Sequence, residues 1–198
     1  MINTASINLH QHDALLIADV QNDFLPGGSL AVTGAETIIP FLNRYIDFFT
    51  SLSLPLFAGR DWHPVHHCSF SERGGLWPVH CVAGTPGAEF SPLLKLPQEF
   101  FVVSKATHAE KEAYSAFAGT NLANLLIQHG VERLFIGGLA TDYCVLHTVQ
   151  DALKHGFAVV LLVDAVAAVN VAAGDGERAI DEMLAAGAVA LHLSEIIP

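Results

Sequence analysis

The chain has 198 residues, and 9 Lys+Arg against 20 Asp+Glu leave a net charge of −11. Hydrophobic residues make up 52% and charged residues only 15%, where an average globular domain is about 25% charged. A disordered chain is thereby excluded, and so is a nucleic-acid partner, which needs clustered Lys and Arg.

In chain order, the first segment, MINTASINLHQHDALLIADV, has no basic start and no long apolar core, so a signal peptide is not expected. Short apolar runs then recur at Ala14–Ala18, Leu54–Ala58, Phe100–Val103, Arg133–Gly137, Ala158–Val163 and Ala188–Leu191. They do not alternate polar with apolar, so both faces are expected to be covered, as in a parallel sheet. Helical periodicity falls between them at Ile38–Phe49, Leu122–His129, Val145–Lys154 and Gly176–Ala186. Gly130 and Gly156 sit just past two of these helices, where a left-handed residue ends a helix. This alternation predicts an α/β fold with a doubly wound parallel sheet, as a single domain over residues 1–198. Residues 60–98 are rich in Pro and Gly and lack periodicity; so long an irregular connection is expected to carry function. The longest apolar run, Phe157–Val163, is strand-length, so no membrane span is expected. Three cysteines, Cys68, Cys81 and Cys144, do not make a disulfide framework, and a reducing, cytoplasmic location is expected.

Ligands of open parallel sheets bind beyond the carboxyl ends of the strands. The residues just past the first four predicted strands there include Asp19, Asp61, Lys105 and Cys144. Cys144 falls in the first turn of a helix that Thr141 or Asp142 can cap, where the helix dipole lowers a thiol pKa. The same position also suits a small buried hydrophobe. Asp19 can accept the thiol proton and later return it to a leaving amine, with Lys105 holding both anions in register. Asp19 and Lys105 equally fit an ordinary buried ion pair. Asp61 and His63 stand two residues apart on an extended segment, with His66, His67 and His80 close behind. A carboxylate with two or more imidazoles is a ligand set for a divalent metal: Zn first, with Fe or Mn as alternatives. Phe24 and Trp77 flank these clusters and offer flat faces to a flat ligand.

Several ungapped segments resemble the nicotinamidases (pyrazinamidases) of the isochorismatase-like cysteine hydrolases. They are D-V-Q-N-D-F at Asp19–Phe24, P-G-G-S-L at Pro26–Leu30, R-D-W-H-P at Arg60–Pro64, the run from Trp77 to Phe90, and G-L-A-T-D-Y-C-V at Gly138–Val145. The resemblance implies a six-stranded parallel sheet flanked by helices and a catalytic triad of Asp19, Lys105 and Cys144. It implies a metal on Asp61, His63 and His80, a ring sandwiched by Phe24 and Trp77, and Tyr114 on the pocket wall. It also implies a cis Leu139–Ala140 bond, with Ala140 and Cys144 N–H groups as oxyanion hole. His67, and behind it His66, is the nearest match to the further metal-binding histidine of some members. The implied activity is hydrolysis of nicotinamide, and of pyrazinamide, through a cysteine thioester in NAD salvage. A related cysteine amidase acting on a ureido or carbamoyl compound keeps the triad without needing the metal set. A third possibility, from another class, is a non-catalytic redox or metal sensor. The apolar composition leaves room for a homo-oligomeric interface.

Overall fold

The computed structural model describes residues 7–197. Eight strands alternate with four α-helices: β1 (Ile7–Asn8), β2 (Asp13–Ala18), α1 (Ile39–Ser51), β3 (Leu56–Asp61), β4 (Phe101–Lys105), α2 (Leu122–Gln128), β5 (Arg133–Leu139), α3 (Leu146–Lys154), β6 (Ala158–Ala167), α4 (Asp175–Ala185), β7 (Val189–Leu191) and β8 (Ile196–Ile197). Six of them form one parallel sheet in the order β4-β3-β2-β5-β6-β7.

The predicted strands and helices all occur, with shifted ends. β3 starts two residues later than expected and runs on to Asp61, and β6 extends to Ala167. The β1–β8 pair was not expected from the pattern, because two residues are too few to show a period.

β2 is buried along its whole length, and its two faces enter different cores. Leu15 and Ile17 pack in one cluster with Leu42, Tyr45, Ile46 and Phe49 of α1. Ala14, Leu16 and Ala18 pack in the other with Leu122 and Leu126 of α2, Val149 and Ala152 of α3, and Met183 of α4. Continuous apolar runs are therefore what these strands require. α1 begins with Pro40 in its first turn, where proline's fixed φ suits a helix and its missing N–H is not needed. Among the described residues no helix is long and apolar enough to cross a membrane.

The chain fills the sheet outward from β2 to β4, then returns to the centre and fills it from β5 to β7. The order reverses between β2 and β5, and a crevice opens there beyond the carboxyl ends. Gly138 lies across from Ala18 at this point, with φ +117°. A Cβ on Gly138 would stand 2.1 Å from the Ala18 carbonyl oxygen. Gly138→Ala is thus expected to cost at least about 2 kcal/mol of stability, since backbone here cannot yield as a flexible side chain does. Urea unfolding checks it; an unchanged midpoint contradicts it.

Candidate active site

Lys105 ends β4 and is only 2% exposed. Its Nζ lies 2.6 Å from Asp61 Oδ1, 3.1 Å from Asp19 Oδ2 and 3.3 Å from Cys144 Sγ, and donates to the Ala113 carbonyl at 3.2 Å. Asp61 faces Lys105 across the β3–β4 ladder, so strand register itself sets this pair. Asp19 follows β2 with φ 50°, a left-handed turn that aspartate tolerates better than most residues. Burial opposes the charge on Lys105, but the two carboxylates outweigh it and hold the ammonium well above the usual lysine range.

The carboxylates differ. Burial pushes Asp61 up, but the Lys105 ammonium leads the effects that hold it below the ordinary range. Burial dominates at Asp19 and raises it to about 6. Both Asp19 oxygens are enclosed without a hydrogen bond among the described residues; the Lys105 contact is electrostatic, not an aligned bond. Asp19, Asp61 and Cys144 present donor atoms all within 4.8 Å of one another.

The expected depression of the Cys144 thiol does not occur. Burial, reinforced by the Asp19 carboxylate, pushes it well above its ordinary value despite Lys105. The resting site therefore pairs a protonated thiol with the Asp19 carboxylate beside it. The capping expectation also fails. Residues Thr141–Val145 form a wide π-type turn, the cap position is Ala140, and no side chain caps it. Asp142 instead accepts from the Val169 and Asn170 N–H groups at 2.9 and 2.8 Å. The Leu139–Ala140 peptide bond is cis.

Asp61, His63 and His80 bring one donor atom each within 4.8 Å of the others, all buried. Asp61 divides its oxygens: Oδ1 meets Lys105, while Oδ2 lies 3.7 Å from His63 Nε2. Burial pushes His63 down to about 4, leaving a neutral ring with a lone pair. Both its nitrogens are enclosed without a hydrogen-bond partner among the described residues. His80 Nδ1 donates to the Pro78 carbonyl at 2.8 Å, which keeps its Nε2 lone pair free. Unbonded buried imidazole and carboxylate donors facing one point fit a divalent cation. His67 is buried with both ring nitrogens engaged, and His66 is exposed beside Glu72.

Gln21 clamps Asp61 from both sides. Its Oε1 accepts from the Asp61 N–H, and its Nε2 donates to the Asp61 and Ala88 carbonyls, each at 2.8 Å. A pocket opens above, lined by Phe24, Trp77 and Tyr114 together with Asp61, His63, His80, Ala140 and Cys144. The Trp77 indole N–H donates to the Tyr114 hydroxyl at 3.2 Å. Tyr143, Glu112, Leu30, Val32 and Val169 complete the wall and were not singled out from the sequence. For Tyr143 a signal existed: it stands beside Cys144 in the Gly138–Val145 motif, and its ring meets that of Trp77 edge-on.

The isochorismatase domain family matches residues 13–195, so the chain belongs to that family. The Acinetobacter baylyi nicotinamidase is 38% identical over 196 residues, covering 88% of this chain and 89% of that protein. The solved Pyrococcus horikoshii pyrazinamidase in complex with zinc is 49% identical with TM-score 0.88, covering 92% of this chain and 99% of that one. An L. infantum protein solved with nicotinate is 38% identical with TM-score 0.88, covering 97% and 98%.

Replacing Lys105 by Met leaves two buried carboxylates without their cation. Breaking such a buried pair costs about 3–5 kcal/mol, and Lys105→Met is expected to lose that much at neutral pH. Urea unfolding measures it; a loss under about 1 kcal/mol, the scale of an exposed pair, contradicts it.

Proposed function

We propose that this protein is an amidohydrolase that converts nicotinamide to nicotinate and ammonia through a thioester on Cys144, and that also deamidates pyrazinamide. The observation that carries this reading is the contact of one buried ammonium with Asp19, Asp61 and the Cys144 sulfur at the floor of an aromatic-walled pocket. The likeness to nicotinamidases and a pyrazinamidase supports the substrate.

Asp19 takes the proton from Cys144 as sulfur attacks the carboxamide carbon, which makes the raised thiol a base-activated nucleophile. Lys105 keeps its charge throughout and offsets the anion as it moves from carboxylate to sulfur. The carbonyl oxygen gathers negative charge toward the Ala140 and Cys144 N–H groups. Asp19 then delivers its proton to the departing nitrogen; the C–N bond breaks, ammonia leaves, and the nicotinoyl group remains on sulfur. Asp19, ionised again, deprotonates a water that attacks the thioester. The C–S bond then breaks, Asp19 returns its proton to Cys144, and nicotinic acid leaves and ionises to nicotinate in solvent.

Phe24 and Trp77 hold the ring between them, with Tyr114 on the wall. Asp61, His63 and His80 would hold one divalent cation, which supplies a Lewis-acid site for the ring nitrogen. Zinc is the first candidate, consistent with the zinc bound by the P. horikoshii relative. The enzyme works in the cytoplasm, in NAD salvage.

Ammonia release from nicotinamide tests the reading. Wild type is expected to turn over and Cys144→Ala to lose at least about 10³-fold in kcat, as for loss of a nucleophile. A Cys144→Ala enzyme with wild-type turnover sinks the mechanism. The pH profile tests Asp19 separately. With its carboxyl raised to about 6, activity is gained as pH rises and Asp19 ionises. A cation on Asp61 draws that value lower, so the acidic limb of kcat/KM lies at or below pH 6. A limb centred near pH 8 or above assigns the base to another group.

A further inference from the structure

His80 is oriented by its bond to the Pro78 carbonyl, but His63 has no hydrogen-bonding partner among the described residues. Metal-binding imidazoles are ordinarily fixed through their second nitrogen, and such support is worth about 10–100-fold in affinity. At His63 packing takes that place. The His67 ring lies over it, centroids 4.3 Å apart and planes tilted by 33°. Phe70 and His80 meet it edge-on at 5.4 and 4.8 Å.

His67 has no lone pair left for a metal. The Ser69 N–H can only donate, and it points to Nδ1 at 3.2 Å, with the Ser69 hydroxyl at 2.7 Å. Nδ1 is thereby the acceptor and Nε2 carries the proton, which it donates to the Lys111 carbonyl at 3.0 Å. One residue on, the Cys68 N–H donates to the Ala109 carbonyl at 2.7 Å. The gripped segment leads directly into Glu112 and Tyr114, which line the pocket, and Ala113, whose carbonyl accepts from Lys105.

We propose that His67 is a positioning residue that serves both halves of the site: its ring face orients His63 for the cation, and its Nε2–H fixes the Ala109–Tyr114 wall of the substrate pocket. The first half rests on the metal reading above; the second does not.

Two full-length variants separate the halves. His67→Phe keeps a ring over His63 but loses the Lys111 bond. His67→Gln keeps a donor for Lys111 but loses the ring. Zn²⁺ affinity is measured by chelator competition, the ligand set by the visible spectrum of the Co²⁺-loaded protein, and the wall by amide exchange over residues 109–114. For His67→Phe we expect Zn²⁺ affinity within about threefold of wild type and an unchanged Co²⁺ spectrum. Exchange in 109–114 rises about tenfold, and KM for nicotinamide rises with kcat little changed. For His67→Gln we expect Zn²⁺ affinity lower by about 10–100-fold, with exchange in 109–114 near wild type.

A His67→Gln protein with wild-type Zn²⁺ affinity overturns the orienting role. A His67→Phe protein with wild-type exchange overturns the tether. An altered Co²⁺ spectrum and lost Zn²⁺ affinity in His67→Phe make His67 a ligand and overturn the proposal. Wild-type protein that binds no Zn²⁺ overturns the metal reading itself, while the exchange measurement still decides the tether.

Discussion

A lysine ammonium buried to 2% exposure has to be compensated by charge, and much of this site follows from that requirement. Asp61 and Asp19 supply the compensation from the neighbouring strand end and the one beyond. A parallel sheet suits the task because all its strands finish at one edge, so residues far apart in sequence arrive together. Asp61 then does two things with one carboxylate, meeting Lys105 through Oδ1 and turning Oδ2 toward His63. The Asp19–Lys105–Cys144 cluster and the Asp61–His63–His80 cluster thus share one carboxylate.

Side chains of the connection after β2 hold Asp61 and the irregular stretch between β3 and β4 in place. Gln21 satisfies both backbone groups of Asp61, as a neighbouring strand would, from a side chain that is itself fully buried. Asp23 accepts from the Cys81 N–H at 2.7 Å and so fixes the residue after His80. A Cβ on Gly87 would stand 2.2 Å from that carboxylate, so the close approach needs glycine there. A segment with little regular structure is held in place by side-chain-to-backbone bonds, which keeps its histidines in register with the strand ends.

Much of this was legible in the sequence because it depends on short-range pattern. Unbroken apolar runs such as Ala158–Val163 announced strands covered on both sides, and the residues beyond four of them named Asp19, Asp61, Lys105 and Cys144. What was not legible depends on who lies next to whom. The local reading of Cys144 saw a helix start and inferred a lowered thiol; enclosure beside Asp19 reverses the sign. By position Thr141 or Asp142 can cap the helix, but the partners of Asp142, Val169 and Asn170, lie 27 and 28 residues away. Gln21 is a residue type with no chemical signature of its own, and only its three-dimensional neighbours give it a role. His67 could be counted among candidate ligands by spacing, whereas its tautomer emerges only from the bonds it makes.

The family supplies the fold, and the proposed chemistry rests on one sulfur among three cysteines. Cys81 is as buried as Cys144, but Lys105 contacts only the latter sulfur among the described residues. The most direct measurement is rapid acid quenching of the enzyme during turnover of nicotinamide, followed by mass spectrometry of its peptides. The expected result is one nicotinoyl group, transient, on the peptide that contains Cys144. Full conversion to nicotinate with that peptide unmodified at every time point, or the acyl group on another residue, would contradict it.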